Sequence, residues 1–347
     1  MKLFVTGGAG FIGSNFISHL LAHRPDCAVI NFDKLTYAGN LANLASVSSD
    51  PRYRFVRGDI GDGPAAAAAM QGCDAVLHLA AESHVDRSIY EPAPVIQTNV
   101  IGTSVLLQVA RELGIQRFLH VSTDEVYGDL PPGAAAGEDF PLHPSSPYSA
   151  SKAAADLLVL SFIRTYNFPA IIARPSNNYG PCQFPEKFIP LLITNALSDK
   201  PLPIYGDGLQ QRNWLHVDDT CRAILAVLEH GRLGAVYNIG GSDVEDNLSV
   251  ALRLLHLLQK PESLLRHVAD RPGHDRRYAL DSRQIASELS WRPLVAFDDG
   301  LRATVAWYTQ NADWVASVRD GRYQSYYEKY YEHRDASLGA VAAARKH

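Results

Sequence analysis

The sequence predicts an α/β fold, a doubly wound parallel sheet with helices on both faces and a smaller, discontinuous second α/β domain. Three observations point there. Short apolar strands alternate with helical patterns through the first half of the 347 residues. A glycine-rich turn joins the first strand to the first helix. After Arg174 the rhythm gives way to shorter segments dense in Pro and Gly.

Leu3-Phe-Val-Thr6 is the first strand, and the turn from Gly7 to Gly13 leads into a helix reaching about His23. Residues 27–33 form a second strand closed by Asp33. Residues 53–57 and 75–79 read as further strands, with an alanine-rich helix over 64–70 between them. The pattern predicts one long helix over 92–113, a strand at 118–122, a helix over 147–166 and a strand at 170–173. Residues 215–229 and 236–240 again read as helix and strand, and rejoin the first sheet. The expected organisation is a first domain of residues 1–174 with 215–244 returning to it, and a second of 175–214 and 245–332. Residues 129–144 read as a variable surface loop without functional content, and 335–347 as a frayed tail.

With 46% hydrophobic and 20% charged residues the composition is that of a soluble globular protein. A net charge of −5 argues against nucleic-acid or anionic-membrane partners. No apolar run reaches the roughly 18 residues needed to span a bilayer, and the apolar stretch before the first glycines is too short for a signal peptide. Four scattered cysteines without metal-ligand spacing imply free thiols, no metal and a reducing, cytoplasmic location.

Gly8-x-Gly10-x-x-Gly13 fits the Rossmann fingerprint, and Gly7 supplies the shifted spacing as well. The pattern is weak alone. Here it follows a strand, opens a helix, and finds Asp33 20 residues beyond Gly13, where a carboxylate would accept from ribose hydroxyls and repel a 2′-phosphate. NAD is therefore expected over NADP, with Lys34 the one residue pulling the other way. Asp59-Ile60 and Leu79-Ala-Ala81, at the ends of the third and fourth strands, are placed to complete the dinucleotide pocket.

Tyr148 and Lys152, four apart, share one face of a helix. An ammonium near a phenol would bring its pKa down from about 10, making Tyr148 a base for a hydroxyl that loses a hydride. Asp124 and Glu125, at a predicted strand end, add a second acid and a second base. Adjacent residues point in different directions, so two carboxyls reach one substrate from different environments.

The sequence resembles the extended short-chain dehydrogenase/reductase superfamily and, within it, the dTDP-glucose 4,6-dehydratases. The motifs are Thr6-Gly-Gly-Ala-Gly-Phe-Ile-Gly-Ser14, Phe32-Asp-Lys-Leu-Thr-Tyr-Ala-Gly-Asn40 and the segment from His78 to Ile89. Others are Ser122-Thr-Asp-Glu-Val-Tyr-Gly128, Pro147-Tyr-Ser-Ala-Ser-Lys152, Ser176-Asn-Asn-Tyr-Gly-Pro181 and Asp270-Arg-Pro-Gly-His-Asp-Arg-Arg-Tyr278. The resemblance implies NAD as cofactor, a nucleotide sugar (dTDP-glucose) as substrate and a homodimer. It implies that Tyr148 and Lys152 serve oxidation at C4, that Glu125 takes the C5 proton, that Asp124 protonates the departing C6 hydroxyl, and that Thr123 bonds the C4 oxygen. Gly7, Gly10, Phe11, Ile12, Gly13, Leu35, Thr36, Ala80, Thr98 and Asn178 match cofactor positions. Ser83, Asn177, Lys187, Phe188, Pro203, Ile204, Tyr205, Arg212, Asn247, Arg271 and His274 match substrate positions. Pro175 departs from the family, which has a Cys or another small residue there. A 4-epimerase would use the same Tyr, Lys and NAD without needing Asp124-Glu125, and a non-catalytic NAD-binding protein would need none of the reacting groups.

Overall fold

The computed structural model describes residues 1–319. Its main sheet takes β1 (Lys2–Thr6), β2 (Ala28–Asp33), β3 (Tyr53–Arg57), β4 (Ala75–His78), β5 (Arg117–Val121) and β6 (Ala170–Pro175). The chain leaves it for β7 (Asn177–Tyr179), β8 (Leu202–Tyr205) and β9 (Gln211–His216), returns with β10 (Val236–Ile239), and leaves again for β11 (Asp243–Asp246) and β12 (Leu265–Val268). The seven strands run parallel in the order β10-β6-β5-β4-β1-β2-β3. The order reverses beside β1, and the crevice at the carboxyl ends of β1 and β4 is where such a sheet takes a ligand.

Strands of a sheet covered on both faces are apolar throughout rather than alternating. In β1, Leu3 and Val5 enter the core under α1 (Phe11–His23) with Phe16, Ile17 and Leu20. Phe4 enters the opposite core with residues of α2 (Gly63–Met70), the helix that Asp62 caps. A third core of Tyr179, Trp214, Leu254 and Tyr308 holds together the smaller sheets β11-β9-β7 and β12-β8 and their helices.

The helix expected over 92–113 forms differently. A separate α3 (Val85–Tyr90) comes first, then α4 (Pro92–Ile96), a π-helical turn (Gln97–Gly102) and α5 (Thr103–Glu112). Asn99 explains the wide turn: its side chain accepts from the Glu82 amide at 2.9 Å and donates to the Glu82 carbonyl at 3.0 Å, tying the helix to the chain after β4. Taken as one piece, Pro92–Glu112 is long and apolar enough to cross a membrane by length and composition, which corrects the expectation that no segment is. Here Val95, Leu106, Leu107 and Ala110 are buried inside the molecule.

Two further expectations change. Leu215 lies in β9, and the next helix runs only Val217–His230, because His216 ends the strand and caps the helix by accepting the Asp218 amide through Nδ1 at 3.3 Å. Residues 129–144 are not a free loop: Leu130 and Ala136 are buried, and their amides donate to the carbonyls of Arg277 and Ala279 at 3.0 and 2.9 Å. Apolar side chains at those two positions had a core to join, which composition concealed. Residues 320–332 of the expected second domain and the 335–347 tail lie outside the described residues.

Candidate active site

The glycine turn is shaped by contact. Gly7 has φ +68°, and a Cβ there would lie 2.7 Å from the Ala80 backbone. A Cβ on Gly13 would lie 2.3 Å from the Gly7 carbonyl oxygen. Side chains at either place would fill the cradle that a helix N-terminus offers a pyrophosphate. No side chain caps α1, so its first amides remain directed at the crevice.

Asp33 is buried at the end of β2 and accepts from the Ala9 amide at 2.9 Å and the Leu35 amide at 2.8 Å. Burial raises its carboxyl above the usual value, and these two amides oppose the rise. Lys34 pairs with Asp59 at 2.7 Å. The cation that would pair with a 2′-phosphate is thus already matched.

A cleft of about 300 Å³ runs from this turn to Tyr148, and a second of about 150 Å³ continues it among His84, Phe188, Arg212 and Arg271. Glu125, Asn177, Glu186 and Lys187 line both, so the two form one path. Every residue singled out from the sequence lines one or the other except Gly8, Leu35 and Ile204. Leu35 contributes its backbone to Asp33 from a left-handed conformation at φ +56°. Ile204 sits in the third core because side chains alternate along β8, so Pro203 and Tyr205 face the cleft.

Tyr148 and Lys152 stand on α6 (Pro147–Tyr166), which starts at a Ser146–Ser149 capping box with Pro147 in the first turn. Lys152 is 4% exposed and donates to the Val121 carbonyl at 2.8 Å. Burial brings its ammonium down to about 8, with Asp156 one turn further along opposing the fall. The expected lowering of the phenol is not found. Burial, then Glu125 and Asp124, push Tyr148 well above its ordinary value, and a hydrogen bond with Thr123 offsets only part. The ammonium is pinned on β5, while the two carboxyls face the phenol.

Those carboxyls differ. Thr123 ends the strand and starts a single 3₁₀ turn, Asp124–Tyr127, by accepting the Glu125 amide at 3.3 Å. Asp124 is 2% exposed, and burial with Glu125 beside it pushes its carboxyl up to about 7. One of its oxygens has no partner among the described residues. Burial raises Glu125 too, but Arg271, Lys187 and Arg212 pull it back. One turn thus carries an acid poised near neutrality beside a carboxyl whose rise three cations oppose.

Similarity to known proteins agrees with this geometry. The family described as GDP-mannose 4,6 dehydratase matches residues 4–304. The dTDP-glucose 4,6-dehydratase of Shigella flexneri is 51% identical over 96% of this chain and 100% of its own length. The chain belongs to the dTDP-glucose 4,6-dehydratase family, among the extended short-chain dehydrogenases/reductases. The structure of DesIV, the dTDP-glucose 4,6-dehydratase of Streptomyces venezuelae with NAD and TYD bound, superposes with a TM-score of 0.90 at 51% identity, covering 92% of this chain and 100% of that one. A UDP-glucuronic acid 4-epimerase from Bacillus cereus shares the fold at TM-score 0.84 but only 31% identity, covering 89% of this chain and 99% of that one.

Membership in a dehydratase family draws attention to residues that sequence reasoning passed over. Glu186 lines both clefts. Tyr278 lies under the Arg212 guanidinium, 4.3 Å from ring centroid to Cζ, and donates to Asp275 at 2.5 Å. Asp86 accepts from Tyr205 at 2.6 Å and from Arg271 at 3.3 Å. All lie within or beside the quoted motifs, but their spacing says nothing of partners brought from distant segments, such as Tyr205 and Arg271 for Asp86.

Proposed function

We propose that this protein is a dTDP-glucose 4,6-dehydratase, a hydro-lyase converting dTDP-glucose to dTDP-4-keto-6-deoxyglucose and water. The observation carrying this is the Asp124–Glu125 pair beside Tyr148: burial pushes Asp124 up to about 7, while in Glu125 three nearby cations oppose the rise. When bound, NAD supplies the hydride acceptor and a cationic ring for oxidation at C4, and returns the hydride at C6.

The chain's residues do the rest. Tyr148 takes the C4 hydroxyl proton while Thr123 bonds the same oxygen. Protonated Asp124 no longer repels a phenolate, so the acid required later also eases the first deprotonation. The 4-ketone acidifies the C5 proton, which Glu125 removes as Asp124 gives its proton to the departing C6 hydroxyl. Lys187, Arg212 and Arg271, with planar forks on the two arginines, suit the diphosphate. The seven-stranded unit holds the cofactor, and the units of the smaller sheets hold the sugar nucleotide. Asp33 and the Lys34–Asp59 pair support NAD over NADP.

A homodimer is the assembly we favour, because Ile96, Ile101 and Leu157 are exposed on α4, the π turn and α6. Sedimentation as a monomer at micromolar concentration would rule it out. A cytoplasmic location accords with a soluble family that uses NAD and converts nucleotide sugars, and fractionation of the source cell tests it. For the activity itself, the protein is incubated with dTDP-glucose and with UDP-glucose. A 4-keto-6-deoxy product from dTDP-glucose is expected, whereas an epimerised sugar without water loss would return the reading to a 4-epimerase.

A further inference from the structure

We propose that Tyr37, Arg87 and Glu186 form a clasp that retains the dinucleotide in its cleft through the whole reaction. The inference rests on the NAD reading above and extends it from binding to retention. The three residues come from separate segments: the chain after β2, α3, and the stretch just before the helix Phe188–Leu197. The Arg87 guanidinium carbon lies 3.9 Å from the centroid of the Tyr37 ring. Its Nη2 and Nε donate to one Glu186 oxygen at 3.1 and 3.2 Å. Phe184 meets the same ring edge-on, with centroids 5.6 Å apart. The Glu186 side chain is 1% exposed, so this guanidinium and a hydrogen bond with Tyr37, rather than water, answer its charge.

Position is what makes the contact a clasp. Thr36, Ala38 and Gly39, on either side of Tyr37, line the dinucleotide cleft. Phe184 and Glu186, from a distant segment, line the same cleft. Tyr37 and Arg87 are not among the lining residues; they join the two segments. The far side of the same loop is already fastened, since the Asn40 amide and the Asn43 side chain both donate to the Ala9 carbonyl at 3.0 Å. Parting these segments therefore requires the cation–π stack and the ion pair to separate along with the direct contacts of Tyr37 to Phe184 and Glu186. A planar guanidinium stacks and forks at once, which an ammonium does not.

The chemistry requires retention. A hydride removed from C4 must return to C6 of the same sugar. Were the reduced dinucleotide to leave in between, the sugar would be stranded two electrons short as a 4-ketose. Loss of the dinucleotide must then be slower than turnover.

The test follows release of NAD from the loaded full-length protein after dilution into an NAD-consuming trap. Wild type is compared with Arg87→Ala, Arg87→Lys and Tyr37→Leu, and thermal unfolding is recorded for each. Arg87→Ala is expected to release NAD at least about tenfold faster, because it loses both contacts. Arg87→Lys keeps the charge pair without the stack, and should fall between wild type and Arg87→Ala. Reduced dinucleotide and 4-ketose should also escape during turnover of the Ala variant. Release at the wild-type rate from folded variants, with or without a lowered Tm, overturns the clasp. Should Arg87→Ala not fold, Tyr37→Leu decides on the same criterion. Failure of the NAD reading looks different: wild type itself would not hold the dinucleotide.

Discussion

The dinucleotide cleft and the sugar-nucleotide cleft meet at Glu125, Asn177, Glu186 and Lys187, yet they are built from different materials. The first is mostly backbone: a turn that admits no Cβ at Gly7 or Gly13, an uncapped helix start, and an aspartate that accepts two amides. The second is mostly buried charge, with Arg212, Lys187 and Arg271 pulling on Glu125 while Asp124 stays near neutrality. A cofactor that must be held in both oxidation states is served by a frame whose charges stay fixed. A sugar that must lose protons and water needs groups whose charge changes. The boundary runs through Thr123-Asp124-Glu125, where β5 gives way to a 3₁₀ turn.

The largest effect expected from breaking this division is in the charged half. Asp124→Asn with Glu125→Gln should leave oxidation at C4 largely intact and slow elimination by ~10²–10⁴-fold. The 4-ketose and reduced dinucleotide would build up on the enzyme, seen as nicotinamide absorbance. Release of 4-keto-6-deoxy sugar at a near wild-type rate would remove both carboxyls from the mechanism. The same pair gives elimination a pH dependence of definite sign. The acid form of Asp124 is present below about 7 and is lost above it, so the elimination rate should fall as pH rises through that value.

A smaller effect is expected in the backbone half. Gly13→Ala places a methyl group 2.3 Å from the Gly7 carbonyl oxygen. Overpacking of that kind costs about 1–3 kcal/mol, so NAD affinity should drop roughly ten- to hundredfold, with no change in the pH profile of what activity remains. A titration showing unaltered affinity would mean that the turn moves to make room.

The smallest effect is on stability. The Asp124 carboxyl is raised from 3.8 to about 7 by folding, so the folded state prefers it protonated. That preference leaves stability whole below about 4, eroding it as pH rises toward 7. Asp124→Asn should therefore be more stable than wild type at pH 8 by about 1–2 kcal/mol, the loss of a partner for Arg212 offsetting part of the gain. The difference should vanish near pH 4. Denaturant unfolding at both pH values measures it, and equal stability at pH 8 would show that the carboxylate is better solvated than its burial implies.

Much of the fold was legible because its signals are local. Apolar strands, the glycine turn and the Ser146–Pro147 helix start each show within a few residues, and the seven-stranded parallel sheet follows from their alternation. Two local readings failed for non-local reasons. Asn99 bends the 92–113 helix by bonding a residue 17 positions earlier, and Leu130 and Ala136 are ordered by a segment nearly 150 residues later. Ile204 was drawn with its neighbours toward the substrate, although its side chain points to the other face of β8.

By itself the sequence determined which reacting groups are present and in what local order: glycines before α1, an acid closing β2, Thr-Asp-Glu after β5, and Tyr and Lys one turn apart on α6. Periodicity and turn chemistry act over a few residues, so these can be read along the chain. Only the tertiary structure decided their charge states. Lys152 turns to the Val121 carbonyl instead of lowering the phenol, Asp124 rises to about 7 in its buried place, and Lys34 is taken up by Asp59. A proton's affinity for a group depends on burial and on charges brought from distant parts of the chain. Those exist only once the sheet, the 3₁₀ turn and the second lobe have come together.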